Sequence, residues 1–150
     1  MDQPNFSTSI LVDQSPAEVF KAVNNPRAWW KDDIQGETDK LNAEWIYQFG
    51  DNHRCKIKVI ELIPGKKVAW LVEENFFKFT RDPGEWTGNK INFDIKPNGD
   101  KTQLTFTQIG LVPSYECYHV CRDAWTGFIQ QSLQSLISTG KGPLKWFEKV

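Results

Sequence analysis

The feature that most constrains the fold is one long amphipathic segment near the end of the chain. Residues 114–139 carry an apolar stripe at helical spacing, which consists of Tyr118, Cys121, Trp125, Phe128, Ile129, Ser132, Leu133 and Leu136. Ser114 is a suitable N-cap and Gly140 a suitable C-terminal cap. A helix of about 25 residues spans roughly 40 Å. Because its apolar face is broad, we expect the helix to bury that face against a second layer.

The middle of the chain predicts that second layer to be a β-sheet. Apolar and polar residues alternate over several short segments, as in half-buried strands, at 6–12, 43–49, 54–63, 68–72, 91–95 and 104–106. The alternation slips at Ile60-Glu61-Leu62, which indicates a β-bulge. Turns such as Pro97-Asn98-Gly99-Asp100 connect consecutive strands, so the sheet should be antiparallel. Residues 75–88 are predicted to be a strand extension followed by a loop.

Two short helices are expected directly after the first strand. Ser15, Pro16 and Glu18 form the start signal of a helix, with an N-cap, a first-turn proline and a capping box. Pro26 ends that helix, because the residue before proline avoids helical angles, and residues 27–30 form the second. The fold class is therefore α+β: a curved antiparallel sheet wrapped around a long C-terminal helix, in a single domain over residues 1–150.

Composition narrows the classes of partner. The net charge is -1, from 18 basic and 19 acidic residues without a basic cluster, so neither nucleic acid nor a membrane surface is an expected partner. No apolar stretch approaches the ~20 residues of a membrane helix. The N-terminus lacks the pattern of a signal peptide. Three cysteines, an odd number without scaffold spacing, favour a reducing cytoplasm.

Several motifs together resemble one known superfamily. They are Ser15-Pro16-Ala17-Glu18-Val19-Phe20 with Asn25-Pro26 and Trp29-Trp30, then Val59-Ile60-Glu61-Leu62-Ile63-Pro64-Gly65-Lys66-Lys67-Val68, then Thr102-Gln103-Leu104-Thr105-Phe106-Thr107 with Gly110-Leu111, and finally Trp125 with Thr139-Gly140-Lys141-Gly142. In this order they are similar to the START-like (SRPBCC) superfamily. The branch they resemble most contains the C-terminal domain of the heat-shock protein 90 ATPase activator.

The resemblance implies the helix-grip fold, in which a curved sheet grips the C-terminal helix around a cavity. It also implies binding of an apolar molecule, since members bind lipids, sterols, hormones or polyketides, and some are cyclases or hydrolases. The superfamily has no universal catalytic residue, so none is carried over. Gln108 stands where this branch often has a histidine. Eukaryotic chaperone activators have an additional N-terminal domain, so a complete activator of that type is not expected here.

Strand parity and the helical stripe predict which residues face the space between sheet and helix. The predicted ligand-binding residues are Tyr47, Phe49, His53, Trp70, Phe79, Trp86, Phe93, Phe106, Trp125 and Ser132. Phe79 and Trp86 are placed at the mouth. The hydroxyl of Ser132, in the middle of the apolar stripe, needs either its own helix, water or a ligand as partner. The competing interpretation is that these large rings fill the cavity completely.

No pattern in the sequence predicts a catalytic residue, a metal or a cofactor. Cys117 and Cys121 lie four residues apart, but His119 between them projects elsewhere on a helix, and a structural zinc site needs about four ligands. A Gly-x-Ser-x-Gly elbow and a phosphate-binding glycine loop are both lacking. His53, with the parity of inward-facing Cys55, is the one weak candidate for an acid or base.

Three hypotheses about function follow. The first is a non-enzymatic protein that binds a small hydrophobic or amphipathic ligand in the cavity. The second is a chaperone-associated protein that activates an ATPase through protein contact, which requires an exposed apolar patch. The third is a cyclase or hydrolase, which requires a pocket acid or base with a perturbed pKa. The chain is expected to be a monomer or a homodimer.

Overall fold

The structure is a computed structural model, and the residues that it describes are 4–142. The first strand, β1 (Phe6–Val12), leads into helix α1 (Pro16–Val23) and a single 3₁₀ turn (Pro26–Ala28). As predicted, Ser15 caps α1: its Oγ accepts the backbone N–H of Glu18 at 3.2 Å, and Pro16 occupies the first turn. Both short helices after the first strand are therefore confirmed.

Within residues 4–142, seven strands form one antiparallel sheet. After β1 come β2 (Gln35–Gly36), β3 (Glu44–Phe49), β4 (His53–Ile63), β5 (Lys67–Phe77), β6 (Lys90–Asn98) and β7 (Lys101–Ile109). Their order across the sheet is β1-β7-β6-β5-β4-β3-β2. Each strand from β2 to β7 therefore pairs with the next strand in sequence, whereas the first strand, β1, pairs with the last, β7. The two-residue strand β2 has no counterpart in the sequence prediction.

Turn and bulge chemistry set the register of this sheet. The β6–β7 hairpin pairs Asn98 with Lys101, and Gly99 between them takes a φ of +65°, which favours glycine. The β4–β5 register shifts between Val59 and Glu61, where the apolar alternation slips in the sequence, and again between Lys56 and Ile57, where it does not. The first bulge was thus predictable and the second was not.

The C-terminal helix is continuous but not uniform. It consists of α2 (Tyr118–Gly127), a π-helical segment (Phe128–Leu133) and α3 (Gln134–Thr139). Gly140 ends it in the left-handed region with a φ of +83°, as predicted. The predicted start at Ser114 is wrong, because the helix begins at Tyr118 and turns occupy the residues before it.

The core lies between the sheet and the helices that pack on its inner face. The inward residues of β3–β7 pack against Trp29, Trp30 and the apolar stripe of the C-terminal helix. Helix α1 contacts β5, β6, β7 and α3, and so closes one end of this layer. The architecture is α+β and helix-grip-like, as the sequence predicted.

Candidate functional site

A cavity opens between the sheet and the C-terminal helix. Its volume is about 460 Å³, within the range of pockets that hold small organic ligands. The walls come from Trp30, Tyr47, Phe49, Asn52, His53, Phe77, Phe79, Trp86, Val120, Cys121, Ala124, Trp125 and Phe128. None of these side chains is an aspartate, glutamate, lysine or arginine, so the part of the lining that residues 4–142 provide is uncharged once His53 is neutral.

Three apolar side chains from three different elements stand at the exposed side of this lining. Phe49 at the end of β3 is 37% exposed, Phe79 in the loop after β5 is 50% exposed, and Val120 on α2 is 60% exposed. We call these three residues the apolar rim. Large exposed apolar groups gathered around one opening are typical of a surface that meets another molecule.

Six of the ten predicted ligand-binding residues line this cavity. They are Tyr47, Phe49, His53, Phe79, Trp86 and Trp125. Phe79 and Trp86 were assigned to the mouth; Phe79 does stand at the opening, whereas Trp86 is buried in the wall. The competing interpretation, a cavity filled by its own rings, does not describe this end of the sheet.

Trp70, Phe93 and Phe106 do not line the cavity, although each faces inward and is fully buried. For Trp70 and Phe93 the reason is Trp29, whose ring lies 6.4 Å from that of Trp70 and 6.0 Å from that of Phe93. The Trp29 ring occupies the space between helix and sheet at this position. Phe106 is covered by the ring of Trp125, at 4.5 Å between centroids. The rings therefore do fill the interior there, and the cavity is confined to the end of the sheet near His53.

Ser132 does not line the cavity either. It is fully buried, and its Oγ donates to the backbone carbonyl of Trp29 at 2.5 Å. Neither the helix itself nor a ligand is the partner of this hydroxyl. Ser132 instead fixes the C-terminal helix to Trp29, the residue that directly follows the 3₁₀ turn.

His53 is a polar residue of the cavity wall that is surrounded by aromatic rings. Its ring packs against Phe77 at 4.3 Å, Trp86 at 4.7 Å and Tyr47 at 5.2 Å. Burial lowers the pKa of His53 to about 4, against the opposing effect of a hydrogen bond with Asn75. The imidazole is therefore neutral near pH 7.

A short hydrogen-bond chain fixes the orientation of this imidazole. Asn75 donates from Nδ2 to the carbonyl of Pro83 at 3.1 Å, so its Oδ1 is the atom that faces His53 Nε2 at 2.8 Å. Since Oδ1 only accepts, the network assigns the proton of His53 to Nε2. The other ring nitrogen, Nδ1, keeps its lone pair and has no hydrogen-bond partner among residues 4–142.

The remaining titratable groups of the wall are held in their neutral forms. Burial is the main cause that raises the pKa of the Tyr47 hydroxyl. A hydrogen bond with Cys117, together with burial, raises the pKa of the Cys121 thiol. A neutral, buried thiol is a poor nucleophile and a poor metal ligand. Within residues 4–142 no three His, Cys, Asp or Glu side chains gather as a metal site would require.

A buried polar chain holds Trp125 in the wall. Trp125 Nε1 donates to Gln108 Oε1 at 2.8 Å, Gln108 Nε2 donates to Asn89 Oδ1 at 2.9 Å, and Asn89 Nδ2 donates to the Tyr115 hydroxyl at 3.0 Å. Gln108 is fully buried on β7. Gln108 accepts a hydrogen bond with its amide oxygen and donates one with its amide nitrogen. A histidine could fill both roles only in one tautomer. Gln108 thus positions a cavity residue without lining the cavity itself.

The loop between β5 and β6 is tied to the start of α2. The Glu85 carboxylate accepts the backbone N–H groups of Glu116 and Cys117 at 2.6 and 3.1 Å. These N–H groups precede the first turn of the helix, so Glu85 supplies the cap that was expected from Ser114. The loop also carries Phe79 and Trp86, and its attachment to α2 sets the distance between two walls.

Sequence reasoning missed seven residues of the wall. They are Trp30, Asn52, Phe77, Val120, Cys121, Ala124 and Phe128. Cys121 and Phe128 belong to the predicted apolar stripe, which marks a helix face but not the part of it that borders a void. Trp30 and Phe77 lie in a turn and at a strand end, where strand parity says little about direction.

The sequence and the fold both have recognisable relatives. A family model described as activator of Hsp90 ATPase homolog 1-like protein matches residues 13–138. No protein of curated function matches the sequence significantly. Within residues 4–142, none of the helices combines the length and apolar character that crossing a membrane takes.

Three solved structures illustrate the structural similarity. The Aha1 dimer from Colwellia psychrerythraea is 24% identical with a TM-score of 0.75, over 93% of this chain and 99% of that chain. DynU16, a putative protein in the dynemicin biosynthetic locus, is 19% identical with a TM-score of 0.64, over 91% of this chain and 48% of that chain. MLL2253 from Mesorhizobium loti is 14% identical with a TM-score of 0.69, over 88% and 96%. These similarities concern the fold.

Proposed function

Because the chain belongs to the activator of Hsp90 ATPase homolog 1-like family, whose helix-grip-like fold it shares, we propose that it binds a small, uncharged apolar ligand between the sheet and the C-terminal helix. The observation that carries this proposal is the cavity of about 460 Å³ beside His53. The protein holds this space open although the neighbouring core, around Trp29, is filled by aromatic rings.

The chemistry of the wall supports an uncharged ligand. A charged group that left water for this lining would find no side chain of opposite charge among the described residues, and burial of an unpaired charge is costly. The aromatic rings of Trp30, Tyr47, Trp86 and Trp125 instead offer extended apolar faces. The apolar rim gives such a molecule a path between water and the cavity.

Native mass spectrometry of the protein purified from its own cells tests the proposal directly. We expect a co-purifying small molecule whose mass adds to that of the chain. Titration with naphthalene, followed by the methyl NMR signals of Val120 and Ala124, provides a second test because both side chains line the cavity. A ligand-binding role would be contradicted if the protein purifies without a bound molecule and if neither methyl signal shifts when naphthalene is added.

A matched pair of variants localises the binding. Ala124→Phe places a ring into the cavity, and we expect it to weaken naphthalene binding roughly tenfold or more, since the ligand and the new ring compete for one space. Asp123→Phe introduces the same ring at the next position, which is exposed, and should leave the affinity unchanged. Equal effects of the two substitutions would place the ligand elsewhere.

Contact with another protein is the second candidate function, and two observations favour it. One is the family itself, which is named for an ATPase activator. The other is the apolar rim of Phe49, Phe79 and Val120. A purified Hsp90-type chaperone should then hydrolyse ATP faster in the presence of this protein, and Val120→Ser should abolish the effect. An unchanged ATPase rate would remove this function.

Self-association is a related possibility for the same surface, and one similar structure is described as a dimer. Sedimentation equilibrium distinguishes a homodimer from a monomer.

A reducing compartment such as the cytoplasm suits the three free, buried cysteines. A cyclase or hydrolase activity stays a prediction. It would require His53, the histidine of the cavity wall, to act as the acid or base.

A further inference from the structure

We propose that the preferred ligand is a flat aromatic molecule with a phenolic hydroxyl, and that this hydroxyl donates its hydrogen bond to Nδ1 of His53. The inference rests on the proposed function and names the chemical class that the same cavity selects. It depends on the direction of one hydrogen-bond chain and on the side chains that surround one ring.

The hydrogen-bond chain determines which kind of polar group the wall can satisfy. The Pro83 carbonyl orients Asn75, and Asn75 Oδ1 takes the proton that His53 carries on Nε2. Nδ1 is then an acceptor that lacks a donor in the described part of the chain. A ligand hydroxyl or N–H group meets this requirement, whereas an ether or ketone oxygen brings a second acceptor and repels it.

The surroundings of His53 determine the shape of the ligand. The imidazole contacts the rings of Tyr47, Phe77 and Trp86, all within 5.2 Å between centroids. Trp86 in turn is stacked beside Trp125, with 16° between the planes. A flat aromatic ring can pack against such faces in stacked or edge-to-face geometry, which adds to the apolar contact.

The described part of the wall carries no cationic side chain, which disfavours anionic ligands as the preferred class. A carboxylate would present only acceptors to Nδ1 and would meet no cationic side chain among the lining residues. A phenol is neutral at pH 7 and combines a hydrogen-bond donor with an apolar ring. Of the polar aromatic groups, it therefore matches both properties of this site.

Three probes of one shape test the inference: naphthalene, 2-naphthol and 2-naphthoate. We expect 2-naphthol to bind more tightly than naphthalene by about fivefold, the factor that corresponds to one neutral hydrogen bond. In His53→Phe this advantage should disappear while naphthalene still binds, because phenylalanine keeps an aromatic ring but lacks the acceptor. The naphthoate should be the weakest of the three. Gln103→Leu, a change at a half-buried polar residue of β7 outside the wall, should retain the preference for 2-naphthol.

A second measurement keeps the test valid if His53→Phe fails to fold. In the unmodified protein, the ¹⁵N signal of His53 Nδ1 should shift when 2-naphthol is added and stay in place when naphthalene is added. Equal affinities for naphthol and naphthalene, with an unmoved Nδ1 signal, would overturn the inference but leave a ligand-binding function intact. If no probe binds at all, the proposed function itself fails and the inference with it.

Discussion

Glu85 and Glu116 anchor each other's segments in a reciprocal arrangement. Glu85 accepts the backbone N–H of Glu116 at 2.6 Å, and the Glu116 carboxylate accepts the backbone N–H groups of Arg81 and Asp82 at 2.9 and 3.3 Å. Each glutamate thus satisfies orphan donors of the other's segment. Since Trp86 directly follows Glu85, the pair also fixes one wall of the cavity relative to α2.

Removal of the Glu85 carboxylate should loosen this junction. We expect Glu85→Ala to lower the free energy of unfolding by about 1–2 kcal/mol, the usual effect of losing a helix cap. Hydrogen exchange at the amides of Glu116 and Cys117 should accelerate more than elsewhere in the helix. Glu74→Ala, at an exposed position of β5, serves as the control. If both substitutions have the same small effect, the cap contributes nothing measurable.

The buried His53 should make stability depend on pH. Its folded-state pKa of about 4 lies below the ordinary value of 6.5, so the unfolded chain takes up a proton that the folded chain excludes. This contribution is complete above pH 6.5 and is lost as the pH falls from 6.5 towards 4; it amounts to about 3 kcal/mol at most. Urea titrations at pH 7 and pH 4.5 measure it, and His53→Phe should flatten the difference. An identical pH profile in that variant would assign the loss to other groups.

Gln108→Leu should be strongly destabilising. The substitution leaves the N–H of Trp125 and the Oδ1 of Asn89 buried without their partner, and each such group costs about 1–3 kcal/mol. Gln103→Leu on the same strand is the matched control, because Gln103 is only half-buried. Calorimetry of both variants decides the matter: comparable melting temperatures would mean that water or a rearrangement replaces the lost amide.

Ser132→Ala separates a structural role from a ligand-binding one. Loss of the bond to the Trp29 carbonyl should cost about 1–2 kcal/mol of stability, because the carbonyl loses a buried donor. The affinity for naphthalene should change by less than about twofold, since a side chain outside the cavity makes no contact with the ligand. A large loss of affinity without loss of stability would return Ser132 to the site.

Local signals in the sequence predicted the elements, and long-range contacts decided the details they missed. Ser15 and Gly140 act on their own neighbours, so their roles as caps could be read directly. The start of α2 could not, because its cap comes from Glu85, about thirty residues earlier in the chain. No local pattern marked the π-helical segment Phe128–Leu133 within the helix.

The position of the site along the strands was the second feature that the sequence could not supply. Alternation correctly placed Trp70, Phe93 and Phe106 on the inner face, and all three are buried. Parity does not say how far along a strand a void lies. Trp29 from a distant turn fills the space above Trp70 and Phe93, and Trp125 covers Phe106. Tyr47 has the same inward parity but borders the cavity.

The density of indole rings gives this protein an optical property that follows from its packing. Trp29, Trp30, Trp45, Trp70, Trp86 and Trp125 form a continuous series of ring pairs whose centroids are 4.8 to 6.4 Å apart. Excitation absorbed by one ring can migrate to the others over such distances, and stacked transition dipoles couple in the near ultraviolet. A guest molecule that quenches only Trp30, Trp86 or Trp125 would therefore lower the emission of the whole series.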